Sequence, residues 1–274
     1  MSRSSLSVVF AGSGGSGAMT AGAIFLRSAA HAGYYGLMTQ LFGPQVRGGE
    51  AAALVQISVD PIECQPDRYD LFVALDWEKL DQFSAEIPLD ADSIIVADPA
   101  SGAPSPGISK SKAKLVALSM SNPDMTRLEK ALRGKRSNIF AAAAIASAAG
   151  IDVVCLVKAL AEVLARKSAE IMQTNSAALA AGAKAARSLD LGLRLAPPKK
   201  APRWLITGNE AVSVGALRGG VRFVGCYPIT PATDLVEWLS PQLQKMGGRL
   251  VLAEDELASI NMAIGASFGG VPAM

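Results

Sequence analysis

The sequence is short of the side chains that do most enzymatic chemistry. Its 274 residues include one histidine, His31, and three cysteines, and aromatic residues make up only 5%. A single histidine leaves imidazole catalysis little to work with, and residue frequencies read His31 as a partly buried helix residue. Cys64, Cys155 and Cys226 lie far apart and form no C-x-x-C pair. That spacing argues against a zinc or iron–sulfur site built from this chain alone, so no metal ligand is assigned. An odd, sparse count also argues against a disulfide framework and fits a reducing cytoplasm. Charge of one sign is lacking too. The formal net charge is +2, and the scattered lysines and arginines lack aromatic interleaving, so neither a nucleic-acid platform nor a membrane-surface patch is expected. Uninterrupted apolar runs are missing as well. The glycines from Gly12 to Gly17 end the N-terminal apolar stretch after about five residues, too soon for a signal peptide. Asp152, Lys158 and Glu162 break the alanine-rich stretch 139–165 before it offers ~20 uncharged residues. The expectation is a soluble chain.

What is present suits a packed interior. Half the residues are hydrophobic and 18% are charged, enough for one large domain or two modest ones. Leu6–Phe10, Ala51–Val59, Leu71–Leu75, Ser93–Ala97 and Leu115–Leu118 read as strands covered on both faces. Ala18–Ala32, Asn138–Ala149, Val153–Lys167 and Ala169–Ala186 read as helices. The alternation predicts an α/β fold with an open, mostly parallel sheet. Residues 195–202 contain three prolines and two lysines, which favours an extended, solvated linker. The expected organisation is a domain over 1–190, a Pro/Lys linker over 191–203 and a second α/β segment over 204–274. In that last segment Asn209 is expected to cap a helix over 210–218, followed by a strand at Val221–Val224. A helix beginning at Pro231, a short strand at Val251-Leu252 and a helix over Asp255–Ser267 complete it.

The stretch "AGSGGSG" (11–17) follows the first strand, and Gly12, Gly14 and Gly17 spell G-x-G-x-x-G. Such glycines let the backbone turn tightly and expose N–H groups at a helix start, a setting that attracts anions. A nicotinamide-binding unit also needs an acid about twenty residues on, to hold the ribose hydroxyls. The region His31–Met38 has no carboxylate, and the next acid is Glu50. NAD binding by a dehydrogenase is therefore disfavoured. A ligand-free turn and an anion site for another cofactor both stay open.

Further blocks set the loop in a wider context. "LFGPQVRGGEAAALVQIS" (41–58), "PIECQPDRYDLFVALDWEKLDQF" (61–83) and "NIFAAAAIASAAG" (138–150) occur in order after it. Together they resemble the gamma domain of the 2-oxoacid:ferredoxin oxidoreductases. "GNEAVSVGALRGG" (208–220), "CYPITPATDLVEWL" (226–239) and "AEDELASINMAIGAS" (253–267) resemble the opening of the same family's alpha domain, which holds the pyrimidine ring of thiamine diphosphate. The order is similar to that of the gamma–alpha fused large subunit of two-subunit 2-oxoglutarate enzymes. The resemblance implies oxidative decarboxylation of a 2-oxoacid, with 2-oxoglutarate the first guess, to its acyl-coenzyme A. Pyruvate and branched-chain oxoacids use the same motifs. It also implies a beta subunit carrying the diphosphate site, Mg2+ and a [4Fe–4S] cluster, ferredoxin as electron acceptor, and pairing of two heterodimers. Because the sequence stops at Met274, where the alpha domain would continue, a fragment of a larger subunit is expected, inactive alone.

The resemblance maps the catalytic glutamate of thiamine enzymes onto Glu256. There a carboxyl group shares a proton with a ring nitrogen, which readies the cofactor to give up its own carbon-bound proton. Helical spacing stacks Glu256 on Ile260, at the edge of an apolar stripe of Leu257, Ile260 and Ile264, where burial would raise its pKa. The competing role is capping, since acids at a helix start complement the dipole. Pro231 suits the first helical position, which makes Thr230 the N-cap. The resemblance gives Thr230 contact with the 2-oxoacid carboxylate and places Tyr227, Pro228 and Ile229 along the cofactor; a plain cap-and-turn explains the same letters. Gly12, Gly14, Gly15 and Gly17, with Arg47, are expected to meet a coenzyme A phosphate, the rival being an interface salt bridge by Arg47. Cys226, with no histidine near in sequence, reads as a small buried thiol. A non-catalytic assembly module that docks on a partner is the alternative to the whole reading.

Overall fold

The computed structural model describes residues 2–43, 49–78, 80–120, 136–189, 191–199, 203–230 and 232–274. The chain divides into two compact units, Met1–Arg203 and Trp204–Met274.

Unit 1 is built on a six-stranded sheet. In chain order its elements are β1 (Ser5–Ser13), α1 (Ala18–Ala32), β2 (Tyr35–Phe42), β3 (Glu50–Ser58), β4 (Leu71–Ala74), β5 (Ile94–Ala97), β6 (Lys114–Ala117), α2 (Ser137–Ala148), α3 (Val153–Val163) and α4 (Ala169–Ala185). The strand order is β2-β3-β1-β4-β5-β6. β1, β4, β5 and β6 run parallel, whereas β3 runs antiparallel to both β1 and β2. Alternating side chains feed two cores, as the strand period of two requires. Leu6, Val8, Phe10, Val55, Ile57, Leu71 and Val73 face the helices α1 to α4. Val9, Ala11, Leu54, Phe72 and Ile95 face the opposite side, where Leu80, Ile87 and Ile108 cover them.

The β2–β3 hairpin is the departure from the expected sheet. Residues 35–42 carry a strand that sequence reading missed, because Gly36 and a mixed, half-buried pattern hide its alternation. Its position also bears on dinucleotide binding. In a doubly wound nucleotide fold the strand after the first helix lies beside β1 and carries the ribose acid. Here antiparallel β3 takes that place and β2 sits at the sheet edge.

The sequence joining the two units is less free than its prolines suggest. Leu191, Leu193 and Leu195 alternate into the main core of unit 1. Leu195 bridges Arg3, and Tyr34 donates its hydroxyl to Ala196 O at 3.0 Å. Burial raises the Tyr34 pKa, the nearby Arg194 charge opposing it, so the phenol stays a donor. The Arg203 guanidinium lies 3.8 Å over the Tyr35 ring and donates to Gly33 O at 2.6 Å. Residues 191–199 and Arg203 therefore belong to unit 1, not to a solvated spacer.

Unit 2 contains α5 (Gly208–Arg218), β7 (Phe223–Cys226), α6 (Thr233–Lys245), β8 (Arg249–Leu252) and α7 (Glu256–Phe268). β7 and β8 pair in parallel, and Leu217, Val224, Leu239 and Leu243 form the core. α5 starts at a capping box: Thr207 accepts from the Glu210 N–H, and Glu210 accepts from the Thr207 N–H at 2.7 Å. Asn209, the expected cap, is already helical. The T-x-x-E spacing was the signal to follow.

α2 is enclosed in unit 1, with every residue from Ile139 to Ala146 buried. Phe140→Ala should cost about 3–5 kcal/mol, since the ring is fully buried in the main core of unit 1. Val157→Ala, on the exposed side of α3, should stay within about 0.5 kcal/mol. Urea midpoints followed by circular dichroism read both, and equal midpoints would contradict the enclosed position of α2.

Candidate functional site

Most of the sequence-derived site residues of unit 2 gather at one end of its strand pair. β7 and β8 finish in register, Cys226 opposite Leu252, and Ala253 N–H donates to Cys226 O at 2.8 Å. The segment Tyr227–Thr230 leaves one strand and Glu254–Glu256 leaves the other, so both emerge at the same carboxyl edge. Loops at the carboxyl ends of parallel strands are where open α/β sheets form their ligand crevices. Tyr227, Ile229 and Leu252 are exposed there, giving the edge an apolar surface.

The two acids at the start of α7 have separate roles. Asp255 is the N-cap, its Oδ1 accepting from the Ala258 N–H at 2.7 Å. Glu256, the first helical residue, is exposed and makes no hydrogen bond or ion pair among the described residues. The burial expected for it is not made within this chain. Leu257, Ile260 and Ile264 do share a helix face, but that face is open, with Leu257 73% exposed. Periodicity showed the stripe and could not show what covers it.

Thr230 is not the N-cap. α6 begins at Thr233 with Ala232 in the cap position and no side-chain cap bond. Thr233 donates both its N–H (3.1 Å) and its Oγ1–H (3.2 Å) to Ile229 O. That closure sets the helix start two residues beyond the expected place. Thr230 is exposed just before it, and Pro231 lies outside the described residues. No side chain caps the first α6 turn, whose Thr233 and Leu235 N–H groups donate instead to the backbone oxygens of Ile229 and Ala232.

In unit 1 the glycine loop divides into two parts. Gly12 belongs to β1 and pairs with Ala51, and Gly14 N–H donates to Gly49 O. These two glycines serve the sheet and the turn, not an outward cradle. Gly12 is needed for space, because a Cβ there would meet Ser16 Oγ at 2.6 Å. Gly15 and Gly17 hold left-handed φ of 100° and 86° and line a cavity at the start of α1. Asp76 fastens the loop by accepting from Ser13 N–H at 2.9 Å and Ser13 Oγ at 2.8 Å. Arg47 lies outside the described residues. Sequence reading missed Asp76, Arg136 and Asn138, which come to this loop from distant segments.

The remaining candidates are placed elsewhere. His31 Nε2 lies 2.9 Å from Glu162 Oε1, and Arg27 reaches the other oxygen at 3.1 Å, so the histidine ties α1 to α3. Among the described residues no cluster of three or more His, Cys, Asp or Glu side chains could hold a metal ion. No helix among them is long and apolar enough to cross a membrane.

Comparison with known proteins gives these sites a family. The profile of the family described as pyruvate ferredoxin/flavodoxin oxidoreductase matches residues 7–185. The chain belongs to this family. A second profile, the thiamine diphosphate-binding domain of pyruvate flavodoxin/ferredoxin oxidoreductase, matches residues 214–274. The 2-oxoglutarate synthase subunit KorA of Methanocaldococcus jannaschii is 48% identical over 67 residues, covering 24% of this chain and 18% of that one. Subunit alpha of 2-oxoacid:ferredoxin oxidoreductase 1 from Sulfurisphaera tokodaii is 44% identical over 87 residues, covering 27% and 14%. Each match thus spans less than a fifth of the curated relative. The 2-oxoglutarate:ferredoxin oxidoreductase from Magnetococcus marinus, solved with 2-oxoglutarate, coenzyme A and succinyl-CoA bound, is 29% identical. It superposes with a TM-score of 0.83 over 99% of this chain and 47% of that one. The oxoacid ferredoxin oxidoreductase gamma subunit from Geobacter sulfurreducens, 23% identical, shares the fold over 67% of this chain and 99% of its own, with a TM-score of 0.50.

Cys226 ends β7 in this oxidoreductase fold without a nucleophile's environment. Burial pushes its thiol pKa up, so the thiol stays protonated at neutral pH. Stability from the neutral thiol is full below the ordinary thiol pKa and is lost as pH climbs above it. At pH 8, iodoacetamide should alkylate exposed Cys64 well before Cys226, and urea should remove the difference. Equal rates on the folded chain would show that Cys226 is open and reactive.

Proposed function

We propose that this chain is part of a thiamine diphosphate-dependent 2-oxoacid:ferredoxin oxidoreductase. The complete enzyme would convert a 2-oxoacid, 2-oxoglutarate in the first instance, to its acyl-coenzyme A. Electrons would leave for ferredoxin through a [4Fe–4S] cluster on a beta subunit, which would also hold Mg2+. Two such heterodimers would pair, in the cytoplasm. The observation that carries the reading is the meeting of Tyr227–Thr230 with Glu256 at one strand-pair edge, within the segment that matches the thiamine diphosphate-binding family.

The residues at that edge fit the pyrimidine end of the cofactor. Tyr227, Pro228 and Ile229 would lie along the ring, offering an apolar face that is open in this chain. Glu256 would hold a proton on its carboxyl group against a ring nitrogen. Support for this role comes from Asp255, which already does the capping and leaves Glu256 with no structural partner. Bound thiamine diphosphate supplies the carbon nucleophile that attacks the oxo group. Thr230, exposed just before α6, would orient the substrate carboxylate, a charge-assisted contact. The glycine loop of unit 1, through Gly15 and Gly17, would meet a phosphate of coenzyme A, with Arg47 as its expected cation.

In the complete enzyme, Glu256→Gln should lower kcat at least ~100-fold, the scale of lost acid–base catalysis, with an unchanged melting curve. Near-normal 2-oxoacid oxidation by that variant would sink the assignment. Thr230→Val should raise KM for the 2-oxoacid about tenfold, the worth of one charge-assisted hydrogen bond. Thiamine diphosphate affinity should not change, and an unaltered KM would remove Thr230 from the substrate site.

A further inference from the structure

α7 touches the rest of unit 2 over a narrow strip. Ser259 is its one buried residue, while Leu257, Ile260 and Ile264 are exposed. Ser259 meets β7 at Gly225. A Cβ added at Gly225 would stand 2.8 Å from the Ser259 carbonyl oxygen and 3.3 Å from the Met262 Cβ. Glycine is what lets the helix backbone come this close to the strand. Cys226, the next residue, already lies at the carboxyl edge, and Tyr227 follows it. On the helix side, Glu256 precedes Ser259 by three residues, about 4.5 Å of helical rise. Both halves of the strand-edge site therefore hang from one contact.

The first turn of α7 is closed so that this contact reaches Glu256. Asp255 O accepts from the Ser259 N–H at 3.2 Å and from Ser259 Oγ at 3.0 Å. Asp255 Oδ1 accepts from the Ala258 N–H at 2.7 Å. These bonds tie the residue before Glu256 to the residues two and three beyond it, so a shift of Ser259 carries Glu256 along. The strand side is fixed as well. Gly225 pairs with Val251 of β8, and its N–H donates to Met274 O at 3.1 Å. With β7 held on both edges, a side chain at position 225 would displace the helix and not the strand.

We propose that Gly225 and Ser259 are positioning residues of the strand-edge site: their close approach sets how far the Glu256 carboxyl group stands from the Tyr227–Thr230 segment. The inference rests on the role given to Glu256 above and extends it to two residues that need touch neither cofactor nor substrate. Moving a Cβ at position 225 from 2.8 Å to the 3.4 Å of ordinary contact displaces α7 by roughly 0.6 Å. Drawing a carboxylate from about 3.0 to about 3.6 Å from a protonated ring weakens their attraction, and the ring then loses its proton about half a pH unit lower. A misplacement of that size costs about tenfold in rate.

The assembled enzyme tests this with Gly225→Ala and, as a control, Gly248→Ala. Gly248 precedes β8 at the opposite, amino end of the strand pair, where a Cβ would meet Arg222 O at 2.6 Å. Both alanines crowd backbone, and urea midpoints should fall for both. Gly225→Ala alone should lower kcat about tenfold with KM for the 2-oxoacid unchanged. Circular dichroism of bound thiamine diphosphate, followed against pH without substrate, should place the loss of its ring proton about half a pH unit lower. Ser259→Ala, which cannot clash, should lower kcat about threefold, the scale of one hydrogen bond in the first turn. Wild-type kcat and titration in Gly225→Ala overturn the proposal. Gly248→Ala matching Gly225→Ala in both readouts overturns it too, since the effect would then follow stability. If Gly225→Ala does not assemble, Ser259→Ala decides, and wild-type kcat in that variant removes the positioning role. Glu256→Gln keeps the underlying reading separate. Normal turnover there removes the site itself, whereas lost turnover there beside an unaltered Gly225→Ala removes the positioning role alone.

Discussion

Unit 1 depends on how closely α2 approaches its neighbours. From Ile139 to Ala146 the helix is buried on all sides, and most of those positions are alanine. Alanines let neighbouring backbones come near, and dispersion contacts replace large side chains as the source of cohesion. α4 makes the same concession at Gly182, where a Cβ would collide with the Phe140 carbonyl. Held between α1 and α4, α2 has its first turn fixed beside the first turn of α1. That fixed distance brings Asn138 to Gly17 O and Arg136 to the glycine loop. A larger residue anywhere along Ala141–Ala144 would push the helix outward, and the loop would lose its second wall.

Local signals were legible where one principle dominated. Ala18–Ala32 was bounded by Gly17 and Gly33, both left-handed in the structure, so the helix limits followed from the letters. The parallel strands β4, β5 and β6 were short apolar runs between polar residues, and the sheet places them side by side. β2 was lost because an edge strand is half-buried and its pattern is not a clean alternation. The leucines at 191, 193 and 195 were outvoted by the prolines and lysines that follow them. Composition over a window marked a linker, while the period-two spacing inside it marked a buried extended segment.

The site residues divided along a similar line. Tyr227–Thr230 and Glu256 could be paired from sequence only through resemblance, since a helix and a strand separate them. Parallel pairing of β7 with β8 supplies the physical reason for their meeting. Arg136 and Asn138 could not be linked to Gly17 by any local rule. Their meeting depends on helix packing at long range, the kind of information that periodicity and propensity do not hold.

Adjacent acids at a helix start are usually interchangeable in argument, and the start of α7 shows why they need not be. A cap requires an extended backbone and a short side chain that reaches forward to the first turn. Asp255 has both, with φ −155° and ψ 174°. Glu256 has neither the backbone nor the reach, so the helix gains no cap bond from it. A carboxylate with no cap to make, no cation paired with it among the described residues and an open apolar stripe beside it is free for exchange with a ligand. In the proposed reaction the proton it holds is shared with a bound ring. Under that proposal the environment that governs the sharing would be completed by the ligand, since Glu256 is exposed within unit 2. That is also why the stripe of Leu257, Ile260 and Ile264 could be read correctly as apolar and still mislead about the solvent exposure of the acid next to it.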